Sequence, residues 1–336
     1  MKTASYANDL DVTGTIHSAE INEVSAEVLR LLSLAYADGR FNALEDAFAD
    51  FERLFTGRFP GFRACDTLYH DQQHTLDMTL AMARLLVAHD GQVKADQRLG
   101  THRAELGLIT ALFHDSGYIR RTHDSAHGNG AEYTRVHVSR SADFLRAYLP
   151  TLGYGGDDVE TAARMVHFTG YEMSLESIEL ACGKDRQLGY ALGSADLMAQ
   201  MADRCYLEKC RDRLYPEFVL GGIAAMKGPD GAPLYRSPTD LLEKTPGFAH
   251  GECARRLNGH FGSIHECVRT LFNGAHPYID SIRANIEYVE KMVARGDFKN
   301  LRRQPPDTPG MERLAAFAPA LLSTRVEAED HRAHRR

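Results

Sequence analysis

Nothing in the 336-residue sequence approaches the roughly 18 consecutive apolar residues that a membrane-spanning helix needs, so no crossing segment is expected. A basic excess is missing too. The formal charge of -7 argues against a partner that is a nucleic-acid polymer held by phosphate neutralisation. It leaves a small anionic substrate open, because metal ions can supply positive charge locally. The six cysteines show no Cys-x-x-Cys spacing, and Lys2 is followed by a polar stretch rather than an apolar signal core. Reduced thiols in a cytoplasmic protein are therefore expected, rather than a disulfide framework or a structural zinc. No convincing alternating strand and no internal repeat is present.

What is present is helical period. Hydrophobic residues make up 43% and charged residues 25%, ordinary for a globular chain long enough to bury a large core. Ile21, Val24, Val28, Leu31 and Leu32 predict a first helix with Ser18 as a cap and Gly39 at its end. Residues 42–55 predict a second. Helical pattern resumes after His70, restarts near Glu105, and returns over 131–149, 159–168, 188–214, 251–272 and 278–294. Proline and glycine make 226–248 a long loop or insertion. The fold class expected is all-α, a multi-helix bundle. Its expected parts are an N-terminal helical region (1–60, opening on a loose arm), a core (61–215), a helical region completing the pocket (216–300), and a linker, short helix and disordered tail (301–336).

The densest chemistry lies between Tyr69 and Asp115. His70 and His74 are four apart, one turn on a helix. Leu106, Ile109, Leu112 and Phe113 carry helical period up to the doublet His114-Asp115, with Gly117 as a stop signal. Beyond the doublet come His137, His167 and Asp196, giving the order H…HD…H…H…D with gaps of 40, 22, 30 and 29 residues. Each falls on a different expected helix, which is how a bundle builds a site from inward-facing side chains. Imidazole and carboxylate donors suit zinc, iron, manganese or nickel. Taken singly, each histidine fits a core or surface role as well. The conjunction is what carries weight.

Tyr69-His70-(three residues)-His74 followed by a His-Asp doublet resembles the HD-domain superfamily of metal-dependent phosphohydrolases, and most nearly its cyclic-nucleotide phosphodiesterase type, over roughly residues 69–208. The resemblance implies a two-metal site. His74, His114 and Asp196 would hold one divalent ion, Asp115 would bridge, and His137 and His167 would complete the second. The ions (Fe, Mn, Zn, Ni or Mg) would clamp a phosphoester and make hydroxide available near neutral pH. His70 would act as general acid, with Asp71 or Asp77 orienting neighbouring imidazoles. The chain departs from the family where Ser116-Gly117-Tyr118-Ile119 holds no histidine, and His167-Phe168-Thr169-Gly170-Tyr171 lacks the proline of the cyclic-dinucleotide branch.

The leading expectation is therefore an enzyme that hydrolyses a small phosphoester, nucleotide-like or cyclic-nucleotide, with homodimerisation left open. Two alternatives stand beside it: a di-iron HD-domain oxygenase that cleaves a carbon bond, with Tyr69 or Tyr118 near its centre, and a non-catalytic nucleotide-binding module. Arg120 and Arg121 are read as a solvated loop that could meet phosphate, Met198 and Met201 as core, and Glu208, Arg211 and Arg213 as a charged helix face. The histidines at 250, 260, 265 and 276 are read as surface or late-helix residues.

Overall fold

The computed structural model describes residues 8–228 and 231–307. Among these the chain is all-helical, with no β-sheet. The longer elements are α1 (Ile21–Ala35), α2 (Asn42–Phe55), α3 (Gln72–Gln92), α4 (Gly100–Phe113), α5 (His137–Tyr148), α6 (Gly156–Met165) and α7 (Gly183–Ala202). Then follow α8 (Tyr206–Lys209), α9 (Tyr215–Leu220), α10 (Pro238–Phe248) and α11 (Pro277–Arg295). None is long and apolar enough to cross a membrane.

The hub is α3. Seventeen of its 21 residues are buried, so it is surrounded rather than amphipathic. It packs against α1, α4, α7 and a short 3₁₀ helix, Ile264–Leu271. In its middle lies Arg84, 3% exposed, which donates to Asp11 Oδ2 (2.6 Å) and to the Tyr278 hydroxyl (2.9 Å). A buried guanidinium must be paired, and this pairing ties the N-terminal segment to the bundle. Residues 8–17 are thus held, not a loose arm. Ser18 donates to Asp9 O instead of capping α1, and α1 stops at Ala35, ahead of Gly39.

Other boundaries move for identifiable reasons. The helix expected over 188–214 breaks after Ala202, where Asp203 adopts extended backbone. Within the supposed loop 226–248, Ser237 caps α10 by accepting from Asp240 N (3.0 Å), and Pro238 sits at its first position, where a proline costs no hydrogen bond. The helical stretch expected over 251–272 is a pair of π-helical segments followed by a break at Phe261–Ser263. Glu208 and Arg213 are buried rather than on a charged face. Arg213 pairs with Asp71 (3.1 Å) and donates to Pro306 O (2.8 Å), which pins the described part of the linker. Met198 and Met201 are in the core. The expected short helix at 311–322 and the tail at 327–336 lie outside the described residues.

Candidate metal centre

Asp71 sets the geometry of the first motif. Its Oδ1 accepts from His74 N (2.9 Å), so α3 begins at Gln72 and His70 lies just outside it. The two histidines therefore do not share a helix face as their spacing suggested, although their ring centroids are 5.7 Å apart. α4 ends at Phe113, and Ser116 Oγ donates back to Phe113 O (2.7 Å). His114 and Asp115 leave the helix there and turn into the molecule, 1% and 3% exposed. Asp196 arrives from α7.

These side chains converge. His74 Nε2 lies 3.6 Å from Asp115 Oδ2 and 3.4 Å from Asp196 Oδ1; His114 Nε2 lies 3.1 Å and 3.8 Å from the same two oxygens. Ligand atoms of His74, His114 and Asp196 all lie within 4.8 Å of one another. His114 Nδ1 is 2.8 Å from Ala111 O, which accepts its proton and leaves Nε2 as a lone pair facing carboxylates. Neither His114 Nε2 nor Asp115 Oδ2 makes an aligned hydrogen bond, although both are buried. Buried acceptors turned towards one point need a positive charge between them. Without a metal, a proton has to serve. Burial alone would push the His114 imidazolium down, but Asp115 outweighs it and holds the pKa at about 9. Asp115, despite burial, is held well below the carboxylate range by His114 and the neighbouring imidazoles. The residues fit a divalent cation with nitrogen and oxygen donors.

Asp115 also reaches the other way. Its Oδ1 lies 3.8 Å from His137 Nε2, and His137 Nδ1 is anchored on Thr134 O (2.7 Å). His137 is the first residue of α5, so the site depends on where that helix starts. Glu172 accepts from Val138 N (2.7 Å) and Ser139 N (3.0 Å), a carboxylate on the positive end of the helix dipole. Gly117 supplies the close approach: a Cβ there would meet His137 O at 1.8 Å. The helix has already ended at Phe113, so Gly117 is needed for packing rather than as a stop. Gly117→Ala should cost about 1–3 kcal/mol by overpacking and push His137 away from Asp115. Melting temperature would show the first effect, and a crystal structure of the variant the second.

His70 stands beside the cluster with a partner that spacing alone did not reveal. Glu217, 1% exposed on α9, lies 2.6 Å from His70 Nδ1 and accepts from the main-chain N–H groups of Tyr69 and His70. Burial lowers the His70 pKa, but Glu217, then Asp115 and Asp196, bring it up to about 8. A carboxylate directly ahead of the apolar run Phe218-Val219-Leu220 was the available signal, since such a group is not buried unpaired. The Tyr118 ring is stacked between His70 (4.4 Å, 18°) and His137 (4.3 Å, 19°). Burial pushes its phenol well above the usual value, so it stays neutral.

Several expected participants are elsewhere. His167, in a 3₁₀ turn after α6, makes no hydrogen bond or ion pair with the cluster among the described residues; its Nδ1 is buried without a partner. Burial lowers its pKa, and Glu172 and Arg146 are the charges it feels. It is not brought together with Asp115. Asp71 is engaged with the His74 main chain and Arg213, and Asp77 faces Ser18 and Lys209. Arg120 is paired with Asp66 and donates to His127 O (2.8 Å), while Arg121 stacks on Phe62 at 3.9 Å. His265 and His276 are buried, not surface. His276 accepts from Ile279 N at the start of α11 and lies 3.1 Å from His265 O, so both ring nitrogens are in use.

The cluster forms the floor of a pocket of about 580 Å³, walled by α9, α10 and the segment between them. No family model, curated protein or solved structure matches this chain.

Proposed function

We propose that the chain is a metal-dependent phosphohydrolase of the HD-domain type that cleaves a small phosphoester. His74, His114, Asp115 and Asp196 would hold one divalent ion, and Asp115 with His137 a second. The observation that carries this reading is the division of labour at Asp115: Oδ2 faces two imidazoles, and Oδ1 faces a third. Such ions supply Lewis acidity toward phosphoryl oxygens and lower the pKa of bound water. The chain supplies the rest. His70, whose imidazolium Glu217 favours, offers a proton to the departing alkoxide. Glu217 orients that imidazolium through Nδ1, and the Tyr118 ring fixes its plane.

Chelation should abolish hydrolysis of bis-p-nitrophenyl phosphate, and Mn²⁺, Fe²⁺ or Zn²⁺ should restore it. Full activity in protein shown to be metal-free would overturn the proposal. The di-iron oxygenase reading calls on the same six residues as the hydrolase, so the identity of the metal and its chemistry separate the two. Electron paramagnetic resonance on anaerobically reduced protein tests it directly: an iron pair that reacts with oxygen and cleaves carbon would displace the hydrolase.

A further inference from the structure

We propose, building on the phosphohydrolase reading, that the ester entering this pocket carries an apolar organic group, alkyl or aryl, rather than a nucleoside. The case rests on what the pocket wall has left to offer. Three threonines line it, and each hydroxyl already donates to a main-chain carbonyl: Thr134 to Ala131 (2.6 Å), Thr169 to Val166 (2.8 Å) and Thr245 to Leu241 (2.9 Å). Glu172 is engaged by the start of α5, and Glu252 by Arg255 and Arg256. Arg135 and Lys244 are exposed and donate to Gly222 O (2.8 Å) and Leu234 O (2.7 Å). Gln200 lies one turn beyond Asp196, beside the ion-binding floor, and bonds the Tyr69 hydroxyl.

What the wall turns to a ligand is mostly carbon. Ile223, Leu234 and Phe248 are only half-buried and border the pocket, and Phe218 and Tyr235 stack at 5.5 Å and 19°. Tyr171 and Met226, 60% and 42% exposed, extend the apolar surface to the mouth. Size does not decide, since about 580 Å³ suits many organic ligands. Chemistry does. Beyond the Tyr171 and Tyr235 phenols and what Gln200 has left, a base or sugar buried here would find few polar partners to replace water, at roughly tenfold in affinity or more for each hydrogen bond lost. Each buried methylene gains about fourfold.

The test uses the full-length, metal-loaded protein and a series of alkyl p-nitrophenyl phosphates from methyl to octyl, kept below micelle concentrations. Cyclic AMP, cyclic GMP and thymidine p-nitrophenyl phosphate run beside them. Calorimetry measures the affinity of unreactive methyl- to octylphosphonate in parallel. Specificity, as kcat/KM, should climb about fourfold per added methylene over the first few carbons, with phosphonate affinity rising in step. Leu234→Gln and Phe248→Gln should flatten both slopes. A phosphonate series indifferent to chain length, or nucleotides turned over better than the octyl ester, would overturn the inference. If no ester is cleaved while phosphonate affinity still rises with chain length, the apolar site stands and the hydrolase reading falls.

Discussion

Asp115→Asn should remove bound metal and slow hydrolysis of bis-p-nitrophenyl phosphate by at least about a thousandfold, equivalent to about 4 kcal/mol of transition-state stabilisation. The substitution keeps the shape and deletes the charge. Both carboxylate oxygens face imidazoles, so an amide would turn its NH₂ towards either His137 or the His74–His114 pair. On the proposed two-ion site, metal analysis should show loss of both ions, because Asp115 faces His74 and His114 on one side and His137 on the other. Far-ultraviolet circular dichroism should be unchanged, since Asp115 lies past the end of α4 and makes no helix hydrogen bond essential to it. Variant protein that retains two ions and normal turnover would refute the bridging role.

The second large effect concerns His70, and here the leaving group is the discriminating variable. General-acid assistance contributes roughly 10²–10⁴-fold when the leaving oxygen is a poor one. His70→Ala should therefore lose about that much on a dialkyl phosphate and far less on a p-nitrophenyl ester, whose phenolate departs unaided. Equal losses on both would assign His70 a structural role. The pH profile offers an independent check. His70 must be protonated to act, so activity should fall on the alkaline side, with the limb of the metal-loaded protein below the value of about 8 that Glu217, Asp115 and Asp196 together support. Cations bound at the cluster would offset Asp115 and Asp196, leaving Glu217 as the charge that keeps His70 protonated. In Glu217→Gln the alkaline limb should move to lower pH. The stability sign agrees: a histidine raised above its ordinary value of about 6.5 stabilises the fold below that value, and the contribution is lost as pH climbs past about 8.

Much of the architecture was legible because it is written in local period. The apolar rows of α1, α2 and α4 recur at helical spacing, and residues 42–55 match α2 to the residue. Elements failed to match where a single side chain set the boundary. Asp71 begins α3 after His70 by capping it. Asp203 ends α7, and its pairing with Lys209 places it among buried charges. Proline misled at α10, where Pro238 starts a helix instead of preventing one. Arg213, Glu208, His265 and His276 were placed outside because their polarity suggests water, yet each is buried.

The sequence alone determined that the chain is helical and that His74, His114-Asp115, His137, His167 and Asp196 fall on or just after successive helices. Helical period and ligand chemistry are both properties of short stretches. Only the tertiary structure decided which donors meet. His137 joins Asp115 because Gly117 has no Cβ and Glu172 holds the start of α5; His167, equally well spaced along the chain, feels Glu172 and Arg146 instead. Glu217 reaches His70 from 147 residues away. Contacts across such separations depend on how whole helices pack, and no pattern of neighbouring residues encodes them.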